Sequence, residues 1–189
     1  MVLVRKILFL SIWFLLSSPA YPRDAADLDQ TLDRLLYSGN NFSSFGSVCE
    51  ELAKERLNER FDSQDFMIHL GVTYRDRHRI LGELDVVVER VWDQEIILVA
   101  EVKCWKDLVK ARQKALSQLS RFREILDTND LVQLDHKNGD FILDQFDDLV
   151  EYMTVGQRGS VAHGFDREID YDLEDVMYLF ETLRDMLEP

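Results

Sequence analysis

Long apolar runs are scarce in this chain of 189 residues, cysteine occurs only twice, and positive charge is outnumbered, with 22 Lys and Arg against 36 Asp and Glu. Each shortage excludes something. The apolar run from Ile7 to Ser18 would span about 18 Å as a helix, well short of the roughly 30 Å hydrocarbon core, so it makes a poor membrane span. Preceded by Arg5-Lys6 and followed by Pro19-Ala20, it fits a secretory signal peptide cut after Ala20, with an uncleaved anchor as the alternative. Cys49 and Cys104 are too few for a disulfide scaffold, although an exported location would permit one bond between them. There is no C-x-x-C, and His69, His78, His136 and His163 show no zinc spacing. The Gly-rich run Gly156 to Gly164 lacks the patterns of a phosphate-cradling loop and of a serine hydrolase, so it is expected to be a loop without chemistry of its own, with Arg158 and His163 free to touch substrate.

The acid excess argues against a polyanionic partner, since affinity for nucleic acid rests on neutralising phosphates. Loss of Arg5 and Lys6 with the signal peptide would take the formal charge from −14 to −16. The placement of the charges along the chain points the other way. Val102 to Arg123 holds seven bases (Lys103, Lys106, Lys110, Arg112, Lys114, Arg121 and Arg123) and one acid, whereas Glu124 to Pro189 holds eighteen acids and four bases. Apolar residues at 46% and charged residues at 31% are an ordinary globular mixture, enough for one domain with a substantial core.

Gly82 to Lys103 reads G-E-L-D-V-V-V-E-R-V-W-D-Q-E-I-I-L-V-A-E-V-K. Dense β-branched residues interrupted by Trp92-Asp93-Gln94 predict two buried strands joined by a tight turn. Asp85, Glu101 and Lys103 are ionisable residues that a purely structural strand would avoid. Alternation puts Glu101 and Lys103 on one face with Val102 on the other, and antiparallel pairing about residue 93 brings Asp85 to them. Adjacent carboxylates repel, and buried charge is costly unless paired or metal-bound, so a hard divalent cation is the expected compensation. The alternative is a structural ion pair of Asp85 with Lys103, leaving Glu101 solvated. Cys104, turned away from the Lys103 face, is read as a small buried hydrophobe.

This G-E-L-D, then E-V-K, arrangement resembles the PD-(D/E)xK nuclease superfamily over roughly residues 45–122, with Asp85, Glu101 and Lys103 matching its two acids and its lysine. The resemblance implies Mg²⁺, or Mn²⁺, held by Asp85, Glu101 and the Val102 carbonyl, with Lys103 acting on the attacking water. Gly46-Ser-Val-Cys-Glu50 looks like the upstream helix whose glutamate completes the metal site. Ser47-x-x-Glu50 is equally a capping box, and Glu51 could substitute for Glu50. Gln118-Leu-Ser-Arg-Phe122 is similar to the Q-h-x-x-Y element of the RecB-like branch, with Phe where Tyr is usual; Gln118 then lies near a phosphate, or is a plain surface residue.

Elsewhere the periodicity predicts helices over Asp27–Tyr37, from Ser43 or Ser47 to Arg60, over Lys106–Leu126, around Asp140–Met153 and over Leu173–Leu187. Strands are expected over Phe66–Tyr74 and Leu131–Leu134. The basic link before Ile80 makes Arg77 and Arg79 candidate phosphate binders, or a solvated turn. Lys106, Lys110, Lys114 and Arg121 form a basic stripe along the long helix.

The expected architecture is α/β, a mixed sheet of about four strands flanked by helices. It corresponds to a restriction-endonuclease-like αβββαβ core over 41–135, between an N-terminal helical extension (21–40) and an acidic C-terminal helical extension (136–189). The expected function is an exported nuclease acting on nucleic acid, DNA rather than RNA, without stable membrane association after signal cleavage. The alternatives are an inactive binding module on the same fold, or an acidic envelope protein that binds cations structurally.

Overall fold

The computed structural model describes residues 25–40, 42–128 and 132–187, so the expected signal peptide lies outside the described residues. Among the described residues no helix is long and apolar enough to cross a membrane. Three strands, β1 (Phe66–Arg75), β2 (Ile80–Arg90) and β3 (Ile96–Lys103), form an antiparallel meander. The expected turn closes β2 onto β3, with Gln94 at φ 64°. Around the meander, β4 (Gln133–Asp135), β5 (Glu151–Gly156) and β6 (Arg167–Glu168) complete one sheet in the order β4-β1-β2-β3-β5-β6. The pairs β4-β1-β2-β3 are antiparallel and β3-β5-β6 parallel.

Helices cover both faces, as a sheet with two apolar faces requires. On one face α1 (Ala25–Tyr37), α2 (Phe45–Asn58) and α4 (Leu173–Leu187) bury Leu35, Val48, Leu52, Val176, Leu179 and Leu183 against Val86, Val88, Leu98 and Ala100. On the other, α3 (Leu108–Thr128) turns the predicted stripe inward. Its Leu119, Phe122 and Ile125 pack on Val72, Leu84, Val87 and Val99. Burial of each such side chain contributes about 1.5–3 kcal/mol, so the two clusters hold the sheet rigid beneath whatever sits at its ends.

The structure corrects three expectations. Among the described residues the sheet has six strands rather than about four, and Asp140–Met153 is not a helix: Leu143–Phe146 makes one 3₁₀ turn, and the chain then enters β5. The cause is the far edge of β3, whose backbone N–H and C=O groups are buried and need partners. Met153-Thr154-Val155 supplies them by pairing with Ala100, Glu101 and Val102. The acidic C-terminal stretch therefore contributes strands to the sheet, and α4 is its one long helix among the described residues. The third correction concerns Cys104, which is bonded to Cys49 and so ties α2 to the end of β3.

Candidate metal and catalytic site

The β2–β3 register ends at Val86 opposite Ala100, so the next pair outward is Asp85 with Glu101. Beyond that point Asp85 replaces the missing ladder bonds: its Oδ2 accepts the Val102 N–H at 2.7 Å and the Lys103 Nζ at 2.6 Å. Lys103 Nζ also donates to Glu101 Oε2 at 2.9 Å. A residue's N–H and C=O leave a strand on the same edge, so the Val102 carbonyl faces this corner too. On the other side of Asp85, Gly71 has φ 70° and lies between the pairs Leu70–Val86 and Val72–Leu84. Leu70 and Val86 pack into one core cluster but Val72 and Leu84 into the other, so side-chain alternation breaks at the level of Asp85.

Glu50 reaches the same corner from α2. The cap of that helix is Ser44, whose Oγ accepts the Ser47 N–H at 3.2 Å. Ser44 occupies the role that a capping box would have given to Ser47, and Glu50 is left for the site. Burial first, then the charges of Asp85 and Glu83, push the Glu50 carboxyl up to about 7, with Lys103 opposing. Glu51 turns elsewhere, holding Asn40 at 2.6 Å and Lys54 at 3.2 Å.

Glu83 is a member of the cluster that sequence reasoning missed. Burial and then Asp85 raise its pKa, again against Lys103. The available signal was its place two residues before Asp85 in the same strand.

Asp85 and Glu101 thus hold one ammonium between them, and Glu50 and Glu83 are near enough to feel its charge and that of Asp85. Glu101 is completely buried; that burial and the neighbouring Asp85 raise its pKa despite Lys103. Burial acts to lower the Lys103 pKa, but Asp85 and Glu101 outweigh it and the net shift is upward. Glu101 Oε1 is buried without a hydrogen-bond partner among the described residues. A cation would satisfy this orphaned, acid-rich, oxygen-only donor set, which has the chemistry of a hard divalent site. Among the described residues no three His, Cys, Asp or Glu side chains are already drawn together around one point, because Lys103 sits between Asp85 and Glu101. The alternative with a solvated Glu101 is overturned by its burial.

Gln118 lies on α3, half-buried, and its Oε1 has no partner among the described residues. Lys106, Lys110 and Lys114 are exposed along the same helix and the turn before it, Lys110 resting on Asp107 at 3.2 Å. Arg77, Arg79 and Arg121 are brought together instead in a separate cleft against Ile80, Leu81 and Ile125. Arg158 is engaged by Asp172 at 2.6 Å and Asp175 at 3.2 Å. His69 holds Glu89, four residues along β2 from Asp85, at 2.7 Å and packs edge-on against His136. Compared with protein-family models, with curated proteins and with solved structures, the chain matches none.

Proposed function

We propose that the protein is an exported, metal-dependent nuclease that hydrolyses phosphodiester bonds, with DNA preferred to RNA, on a restriction-endonuclease-like variant of its mixed sheet. The observation that carries this reading is the fully buried Glu101 with one oxygen unpartnered among the described residues, beside Asp85 and Lys103, with Glu50 and Glu83 close enough to feel the charges of that pair. A structural ion pair needs two ionisable groups, and among the described residues five lie at or near this corner. The meander β1-β2-β3 with β5 parallel to β3 and α3 between them in the chain supports the fold assignment. The Cys49–Cys104 bond supports export, since disulfides persist in oxidising compartments.

Asp85, Glu101, Glu50 and the Val102 carbonyl are the groups that would hold Mg²⁺ or Mn²⁺. Such an ion polarises the phosphate and lowers the pKa of bound water. Lys103 has three N–H donors, of which Asp85 and Glu101 take two, leaving one for the attacking water and for charge growing on the phosphate oxygens. Glu50, with its pKa raised to about 7, would have to give up its proton to join a cation there.

The contact of Lys103 with both carboxylates favours one other reading, a binding module on this fold that does not hydrolyse. Labelled DNA and RNA incubated with Mg²⁺, Mn²⁺ or EDTA separate the two. Cleavage of DNA that needs a divalent ion and is abolished by Lys103→Ala is the expected result; no cleavage of either substrate with either ion eliminates the enzymatic reading.

A further inference from the structure

A cleft of about 720 Å³ opens between the β1–β2 tip and α3, lined by Arg77, Arg79 and Arg121 together with Ile80, Leu81 and Ile125. Three guanidinium groups in one cleft stand out on a chain of net charge −14. Asp76, the acid of that lining, is already engaged, its Oδ1 accepting the His78 and Arg79 N–H groups at 2.7 and 2.9 Å. Arg77 has no carboxylate partner among the described residues, and the Arg79 side chain is 77% exposed, resting on Asp76 only at 3.7 Å. Ile80 stands 68% exposed beside them. The lining thus combines anion-binding forks with an apolar wall.

The cleft adjoins the carboxylate corner. Leu81 lines it, and Glu83 and Asp85 follow two and four residues later on β2, about 7 and 14 Å along the strand. Between them stands Tyr74, buried, its hydroxyl so close to Gly82 that a side chain at that position would collide with it. The Tyr74 hydroxyl feels both Arg121 from the cleft and Glu101 from the corner. Arg121 is itself fixed to the Leu81 carbonyl at 3.3 Å.

We infer that this cleft receives a nucleotide of a single-stranded stretch of substrate, its phosphate on Arg77 and Arg79 and its base against Ile80, Leu81 and Ile125, next to the carboxylate corner. The inference rests on the nuclease reading and names its substrate class. Guanidinium forks bind phosphate oxygens bidentately and their planes stack on bases. An apolar wall adds affinity only for a base that is unstacked, and a duplex keeps its bases paired and stacked inside. The volume lies in the range of cavities that enclose small ligands.

The test is fluorescence anisotropy in EDTA, so that binding is read without turnover, using labelled oligothymidylate, oligouridylate and a duplex of equal length. The exposed pair Arg77→Ala with Arg79→Ala should weaken single-strand binding by about tenfold or more. Ile80→Ser should weaken single-strand binding several-fold while leaving duplex binding within about twofold. Melting temperatures of both variants near that of the parent confirm that the fold is retained. Single-strand binding unchanged by the double arginine variant overturns the inference, as does a parent protein that binds no oligonucleotide or binds duplex in preference. Cleavage with Mg²⁺ or Mn²⁺, measured in parallel, keeps the two claims apart: cleavage that ignores the arginine variant sinks the cleft alone. Single-strand binding through the cleft without any cleavage sinks the nuclease reading alone.

Discussion

On the nuclease reading Lys103 would carry two tasks that pull in different directions. In the metal-free protein it is the one cation between Asp85 and Glu101 among the described residues, its side chain only 11% exposed, so removing it leaves two buried carboxylates without a counter-charge, Asp85 keeping the Val102 N–H. Breaking a buried pair in this way costs about 3–5 kcal/mol. Lys103→Ala should therefore lower the melting temperature in EDTA, recover part of the loss when Mg²⁺ is added, and still not cleave nucleic acid. A variant that regains its stability and its cleavage together with Mg²⁺ would make Lys103 a structural residue.

Glu50 supplies a pH signature of its own. Its pKa is about 7 in the folded chain against an ordinary value of 4.5. A carboxyl raised in this way stabilises the fold fully below the unfolded pKa, and that contribution is lost as pH rises through the folded pKa. In EDTA, Glu50→Gln should match the parent near pH 5 and exceed its stability by up to roughly 3 kcal/mol above pH 7, at about 1.36 kcal/mol per unit. Denaturant unfolding of both proteins across that window checks it, and a constant difference would remove Glu50 from the acid cluster.

At the scale of elements, the Cys49–Cys104 bond joins the residue before Glu50 to the residue after Lys103. It crosses from α2 to the end of β3 and closes a loop of sequence separation 55. Chain-entropy arguments assign such a loop about 4 kcal/mol of stabilisation. Replacing both cysteines by alanine should lower the unfolding free energy by about 2–4 kcal/mol and also weaken Mg²⁺ binding, measured by calorimetry, because Glu50 is then held by packing alone. Lost stability with unchanged metal affinity would mean that the bond serves the fold and not the site.

For the whole molecule, the acid excess and the basic stripe have to be weighed together. Lys106, Lys110 and Lys114 are exposed on α3 and the turn leading into it and lie outside the arginine cleft, so on the nuclease reading they would meet the phosphate backbone. Changing all three to alanine should reduce duplex DNA affinity without altering sequence preference. It should also flatten the dependence of log affinity on log salt by up to about 0.9 per lost contact. The slope is read from anisotropy titrations at several salt concentrations, and an unchanged slope would move the duplex path off this helix.

What was legible in the sequence was local. Alternation and a short turn are properties of neighbouring residues, so the β2–β3 hairpin and the meeting of Asp85, Glu101 and Lys103 follow from the order of residues 82–103, as the α3 stripe and α4 follow from helical spacing. The rest was decided by contacts between distant segments. Ser44 capping α2 freed Glu50 to approach Asp85, and burial beside other acids brought Glu83 into the cluster. The unpaired edge of β3 drew residues 151–153 out of a helical reading and, with 154–156, into the sheet, because buried backbone groups must find partners and only the assembled sheet presents that edge. Cys104 met Cys49, and the arginines of the β1–β2 tip met Arg121, for the same reason: residues far apart in the chain become neighbours only once the helices have docked.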